Sequence, residues 1–199
     1  MNPLDDFPSD FNECVRFHGH LCPGLAIGYS AVKAATRLLN VGPSRDEEVV
    51  AVVENDSCAV DAIQVLLGCT FGKGNLIFRD WGKQVFTFMD RKTGRAVRVS
   101  LTGELPGRTK RHALKKKIEA GLASDSETKL WDELRYSIAK ELIASDPELY
   151  FEVREVRSRI PPAAEVVETR PCAICGEGVM STRLVTRQEL LVCQECANI

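Results

Sequence analysis

Four cysteines in two tight pairs constrain the end of this chain more firmly than any other pattern in it. Cys172 and Cys175 have two residues between them, as do Cys193 and Cys196, and residues 176–192 separate the pairs. That spacing is expected of a four-cysteine zinc site. Each pair offers two thiolates from one turn, and two facing turns complete a tetrahedron. Gly176 lets the backbone curl toward the ion. With cysteine at every position the metal has no open coordination, so its role is structural. Disulfides and a rubredoxin-like iron site are the alternatives. A unit of about thirty residues has too little core to fold unaided, so the metal holds it together. Ser181–Val185 and Glu189–Val192 are expected to form the hairpin of a zinc ribbon over 172–199. A linker over 161–171, opening at Pro161 and Pro162, precedes it.

The other four cysteines, Cys14, Cys22, Cys58 and Cys69, are scattered through the first third. Two modules with two cysteine chemistries follow: a core over 1–160 and the ribbon. The 199 residues suit one ordinary domain with a small appendage. A net charge of -2 gives no global field to recruit nucleic acid or an acidic membrane. No apolar run approaches the length of a membrane span. The N-terminal Met1–Phe7 is acidic and lacks the apolar centre of a secretory signal, so a cytoplasmic location is expected.

The core reads as helices first and sheet second. Helical periodicity covers 8–18, with Asp10 as the candidate cap. A second helix is expected from Pro23 to Asn40. Gly24, Ala26, Gly28, Ser30, Ala31, Ala34 and Ala35 make it rich in small residues, which predicts close backbone packing. Val49–Glu54 is a continuous apolar run and reads as a buried central strand. A helix over Ala59–Leu67 follows, with Asp56 or Ser57 as cap. Strands are expected at Asn75–Arg79, Gln84–Asp90 and Ala96–Leu101, the last two forming a hairpin. Helices at Thr109–Ala120 and from a Ser124/Glu127 capping box to Ser145 precede a strand at Leu149–Val156. The fold class is therefore α+β, a mixed or antiparallel sheet packed with helices, plus the ribbon. The glycine-rich loop Gly68–Asn75 is not a phosphate loop. Its spacing is one residue short, Gly74 stands where Ser or Thr should hold magnesium, and a strand follows it.

The candidate site in the core is Phe17-His18-Gly19-His20-Leu21-Cys22-Pro23-Gly24, which holds two of the three histidines. Imidazole and thiolate converging over so few residues suit a transition metal. A reactive thiol beside a base is the competing reading. The helix starting at Pro23 points its positive end at Cys22, and Cys58 falls in the first turn of its own helix. Both placements favour thiolates. Asp56 and Lys73 come from neighbouring loops, and Asp61 is read only as a possible cap. Cys14 and Cys69 sit beside apolar residues and read as buried thiols. Arg108, Lys110, Arg111, Lys115, Lys116 and Lys117 form one basic run, read as a solvated helix face, with a patch for an anionic ligand or RNA as the alternative; it has no interleaved aromatics for base stacking.

Three blocks then carry a resemblance. Phe17–Gly24, Asp56–Gln64 and Gly68–Leu76 resemble, in order and spacing, the E-subunit family of formylmethanofuran dehydrogenase over residues 10–160. The resemblance implies an α+β core, a tightly intertwined homodimer, and a metal site at His18, His20, Cys22 and Cys58 with Lys73 nearby. It also implies a link to the molybdenum or tungsten enzyme that reduces carbon dioxide onto methanofuran in methanogenesis.

The chain shows no cysteine run for iron–sulfur clusters and no molybdopterin site. The expected function is therefore that of a metal-binding accessory or regulatory protein. Its metal donors are Cys172, Cys175, Cys193 and Cys196 for structural zinc. His18, His20, Cys22 and Cys58 would take a second transition metal, zinc among the candidates. Its expected partners are a second copy of itself and formylmethanofuran dehydrogenase subunits. One alternative is a ribbon-based metal sensor or transcriptional regulator. Arg170, Arg183 and Arg187 balance Glu177, Glu189 and Glu195, and a neutral ribbon is a poor nucleic-acid clamp. The other alternative is an enzyme using Cys22 or Cys58 as nucleophile and His18 or His20 as base.

Overall fold

The structure, a computed structural model, describes residues 4–198. Met1–Pro3 of the segment read for a signal, and Ile199 of the ribbon, lie outside the described residues. The chain divides into two compact units, 1–163 and 164–199.

In the first unit, α1 (Ser9–His18) and α2 (Pro23–Leu39) precede β1 (Val49–Val53) and α3 (Ala59–Leu67). Then come β2 (Leu76–Phe78), β3 (Val85–Asp90), β4 (Ala96–Leu101), α4 (Arg108–Glu119), α5 (Asp125–Ala144) and β5 (Phe151–Val156). The sheet order is β2-β1-β3-β4-β5, with β1 and β2 parallel and every other pair antiparallel. This is the expected mixed α+β arrangement. The run Val49–Val53 is buried throughout because its alternate residues face different cores. Val49, Ala51 and Val53 join Phe86, Phe88, Val97 and Val99 under the helices. Val50 and Val52 join Met89 and Ala96 on the other face. That second face also holds a buried carboxylate, Glu54, bridged by both guanidinium nitrogens of Arg98. Among the described residues, no helix is long and apolar enough to cross a membrane.

The small residues of α2 do pack closely. A Cβ on Gly28 would lie 2.1 Å from the Ala59 carbonyl oxygen, so α2 and α3 touch backbone to backbone. Ser30 Oγ donates to the Leu142 carbonyl at 3.0 Å, which fixes α2 to α5 as well. The helix α2 is thus held on two sides, and both its neighbours carry residues of the site described below.

Several local readings are corrected. Asp10 does not cap α1, whose N-cap is Pro8. Its carboxylate instead accepts from Tyr29 Oη at 3.0 Å and Lys33 Nζ at 2.6 Å, tying α1 to α2. The N-cap of α3 is Cys58, with no side-chain cap from Asp56 or Ser57. Asn55 explains why: its Oδ1 takes the Ser57 N–H and hydroxyl, and its amide donates to the Lys83 carbonyl. The strand expected from Leu149 begins at Phe151 instead, and Leu149 closes a 3-10 turn over Pro147–Leu149. The expected capping box at Ser124 and Glu127 is present. The glycine-rich loop is held by buried Asn75, which accepts from Thr70 N–H and donates to the Val49 carbonyl.

The second unit contains β6 (Thr169–Pro171) paired with β7 (Gly178–Met180), and β8 (Val185–Arg187) paired with β9 (Leu190–Val192). A short helix, α6 (Gln194–Ala197), ends it. The hairpin between the cysteine pairs is therefore shorter than expected. Ser181–Arg183 is a 3-10 turn, and a second hairpin brackets the first pair.

Candidate metal centres

The four ribbon cysteines place their sulfurs within 4.8 Å of one another. Cys175 and Cys193 sulfurs are 4.0 Å apart. Thiolates on one tetrahedral ion at the usual zinc–sulfur distance are roughly 3.8 Å apart, so the set fits such an ion. Backbone N–H groups point at the sulfurs: Cys193 and Ile174 donate to Cys172, and Cys196 donates to Cys193. The N–H of Cys193 first, then those of Cys175 and Ile174, pull the Cys172 thiol down to about 6. The cluster is consistent with a zinc ribbon.

The core site forms where α1 ends and α2 begins. His18 is the last residue of α1, and Gly19 stops the helix at a φ of +88°, a conformation that a side chain would oppose. The chain then turns back, with the His18 and His20 rings 4.4 Å apart. Cys22 is the N-cap of α2, its sulfur accepting the Leu25 N–H at 3.3 Å. One donor atom from each of His18, His20 and Cys22 lies within 4.8 Å of the others.

The local geometry suits a metal. His18 Nε2 is 3.8 Å from Cys22 Sγ. Nitrogen and sulfur sharing one tetrahedral zinc ion would be roughly 3.6 Å apart. On the other side of the ring, His18 Nδ1 is 2.7 Å from Asp61 Oδ2. With Nδ1–H donated to the carboxylate, the Nε2 lone pair is left for an ion, the arrangement that orients ligating histidines. For His20, desolvation first, then the charges of His18 and Arg135, hold the pKa below the usual imidazole value. The neutral ring is the form that binds metal.

Cys58 reaches the site from the start of α3. Its thiol interacts with that of Cys22, and Gly24 passes beside both sulfurs. It does not join the set of three within 4.8 Å. The thiolate expected at Cys22 is corrected. Burial pushes this thiol up to about 11, aided by Cys58, and outweighs the N-cap hydrogen bond. Without a cation in place Cys22 is a neutral thiol, which disfavours Cys22 as the nucleophile.

The sequence missed three supports. Asp61 is not a cap but the brace of His18. Arg135 of α5 donates from Nη2 to the Leu21 carbonyl at 2.7 Å, pinning the loop between the ligands. Trp131, one turn earlier on α5, lines a cavity of about 650 Å³ together with His20, Cys22, Cys58, Arg111 and Lys115. Part of the basic run of α4 therefore faces this cavity rather than solvent alone; the side chain of Arg108 lies outside the described residues. Lys73 is engaged elsewhere, its ammonium donating to the Ser44 carbonyl at 3.0 Å. Asp56 is exposed. Cys14 and Cys69 are buried thiols as expected, and burial pushes each up to about 12.

Known proteins place this geometry in context. A curated protein of Archaeoglobus fulgidus, described as a probable S-adenosyl-L-methionine-binding protein, is 30% identical over 198 residues. The alignment covers 92% of this chain and 51% of that protein, so the chain spans about half the length of this relative. A crystal structure from Syntrophus aciditrophicus is described as that of a tungsten formylmethanofuran dehydrogenase FmdE-like protein. It superposes with a TM-score of 0.60 at 26% identity, covering 94% of this chain and 91% of that one. The sequence pattern of the family described as "FmdE, Molybdenum formylmethanofuran dehydrogenase operon" matches residues 17–152. That span contains His18, His20, Cys22, Cys58, Asp61 and the whole cavity lining, and by this match the chain belongs to the FmdE family.

Proposed function

We propose that this chain is a metal-binding accessory or regulatory protein of a formylmethanofuran dehydrogenase system, acting as a homodimer. The observation that carries the reading is the convergence of His18, His20 and Cys22 on one point, with Asp61 fixing the His18 tautomer. Three protein donors on a tetrahedral ion leave one position for Cys58 or for a ligand from the adjoining cavity. A bound divalent transition ion would supply Lewis acidity there. The protein's own residues would orient the ion through Asp61 and hold the ligand loop through Arg135. The ribbon would carry structural zinc on its four cysteines.

Elemental analysis of the purified full chain tests this reading. Two ions per chain are expected. Replacing His18 and Cys22 together should remove one ion, and replacing Cys172 and Cys175 together should remove the other. One ion per chain, unchanged by the His18/Cys22 replacement, overturns the core site.

A second reading takes the cavity as a site for S-adenosyl-L-methionine. It is supported by the description of the Archaeoglobus relative and by a cavity within the size range of small-molecule sites. Calorimetric titration of the metal-loaded protein with S-adenosyl-L-methionine should then show saturable binding that is weakened in Trp131→Ala. No heat at millimolar ligand removes this reading.

A further inference from the structure

We infer that the sheet face turned away from the helices carries a pocket for a small nucleotide. Its arginines would hold the phosphate, and Trp81 would lie against the flat base. The inference is independent of the metal centres, because the pocket shares no residue with them or with the cavity beside Cys22.

The argument starts from register. Val52 stands opposite Thr87, Thr87 opposite Arg98, and Arg98 opposite Arg154. Cross-strand partners share a face of the sheet. These side chains therefore lie on the side of the second apolar cluster, to which Val52 and Val156 belong. Two arginines directly opposite one another repel, a pairing that costs stability unless an anion lies between them. Buried Glu54 serves Arg98, whose fork takes up both of its carboxylate oxygens. The carboxylate nearest Arg154 is that of Glu152, 3.9 Å away, with both side chains more than half exposed. Such an exposed pair offsets little.

More arginines close on the same space. Arg79 follows β2, and Arg157 and Arg159 follow β5. With Arg98, Arg154 and Trp81 they line a cavity of about 350 Å³ in which Glu54 is the one acid among the described residues. None of the described carboxylates lies within ion-pair distance of Arg79, Arg157 or Arg159. Glu155, their neighbour on β5, is taken by Arg95. Guanidinium forks match the oxygens of a phosphate group. Trp81 stands at the same cavity, 54% exposed, with the Arg79 guanidinium carbon 5.2 Å and Lys83 Nζ 5.8 Å from its ring centre. Those cations hold the indole in place, and a fixed aromatic face beside a cationic pocket suits a nucleobase. The volume is at the small end of ligand sites, so it fits one nucleotide rather than a length of nucleic acid. The net charge of -2 also gives the chain no field to gather a polyanion.

Trp81 provides the reporter. The chain has two tryptophans, so Trp131→Phe leaves Trp81 as the only one. Full-length Trp131→Phe protein is titrated with adenosine monophosphate, ribose 5-phosphate, adenosine and a short oligothymidylate, by fluorescence and by calorimetry. The salt is held at about 0.15 M, so that long-range attraction is screened. A saturable change with adenosine monophosphate is expected, with weaker binding of ribose 5-phosphate and of adenosine. Arg154→Gln and Arg157→Gln, both changes at exposed side chains, should each weaken the nucleotide by about tenfold or more. Arg98 is left intact, because its loss would strand buried Glu54. Lys116→Gln, an exposed change on α4 outside the cavity, should leave binding unchanged. No saturable response to adenosine monophosphate by either method overturns the inference, as does an equal loss in Lys116→Gln. Adenosine binding as tightly as the nucleotide would show that the arginines hold no phosphate, and ribose 5-phosphate doing so would show that Trp81 meets no base; either overturns the pocket as described. Tighter binding of the oligothymidylate would replace it with an extended nucleic-acid surface.

Discussion

The two cysteine-bearing sites of this molecule are built on opposite principles. The ribbon draws four like donors from two tight turns, and its buried apolar cluster consists of Cys172, Val192 and Cys196. Two of the three members of that core belong to the four-cysteine cluster that could hold a metal. The core site draws unlike donors from the junction of α1 and α2, beside a continuous cluster whose members run from Phe7 to Phe151. There the fold exists first and the donors are placed by it. Folding energy that the ribbon would take from an ion, the core takes from packing. On the proposed reading, a metal in the ribbon would be a structural element, whereas a metal in the core would be free to exchange or to bind ligand.

Metal removal should separate the two most sharply. A strong chelator, or Cys172→Ser with Cys175→Ser, is expected to unfold 164–199, since structural zinc in such units is worth on the order of 10 kcal/mol. Amide exchange should show complete loss of protection in the ribbon and retained protection in β1, β3 and β4. Loss of protection in those strands as well would break the comparison.

The reverse attack acts through packing. Gly28→Ala puts a methyl group into the Ala59 backbone. Neither partner there is a flexible side chain, so α2 and α3 must separate. A loss of roughly 3 kcal/mol in the denaturant stability of the core is expected. Because α2 carries Cys22 at its cap and α3 carries Asp61, core metal binding should fail with it, while ribbon metal stays. Unchanged core stability would mean that the close approach of α2 and α3 has been misjudged.

The same contrast explains what the sequence made legible. The ribbon cysteines and the His18–Cys22 segment are local patterns. Ligands a few residues apart must be near one another whatever the fold does. The strands of the core were legible for a similar reason, since alternation at Phe86, Phe88, Val97 and Val99 needs only the adjacent residues. Asp61 comes to His18 from 43 positions away, and Arg135 comes to Leu21 from 114. No periodicity connects those pairs; the α2–α3 and α2–α5 contacts do. The basic run of α4 was legible in part: Lys110, Lys115, Lys116 and Lys117 are exposed, as a solvated face requires, while Arg111 and Lys115 also line a cavity. A helix turns its residues around its axis, so charge counted along the chain cannot say that Arg111 and Lys115 face a cavity. Asp10 was misread because its partners are on α2, and a cap is the strictly local use of an aspartate.

Asp61→Ala sharpens the claim that the core positions its donors. Loss of the carboxylate frees the His18 ring, and core metal affinity should fall about 10–100-fold, measured by competition with a chelator. Asp61→Asn keeps an acceptor for Nδ1–H and should recover part of that loss. Core stability should change little in either variant, because Asp61 is about one-third exposed. Equal affinity in all three proteins would show that His18 needs no brace.

The smallest effect concerns acid. If the core folds without its metal, its response to pH must come partly from its own carboxylates, and Asp10 is the clearest. Burial alone would raise its pKa, but the hydrogen bonds from Lys33 and Tyr29 outweigh this and hold it below the usual carboxylate value. A depressed folded-state pKa contributes stability above the unfolded value, and that contribution is lost as pH falls through the folded one. Asp10→Asn should therefore cost about 1 kcal/mol or less near neutral pH, because the ion pair with Lys33 is partly exposed and screened. The gap between wild type and variant should be constant down to about pH 5 and close as pH falls below about 4. Acid also protonates the metal donors, but it does so in both proteins, so the difference in urea stability isolates Asp10. A gap that persists at pH 2 would mean that the side chain acts there by shape rather than charge. It would also return the acid sensitivity of the core to its metal donors, making the two sites more alike than their packing indicates.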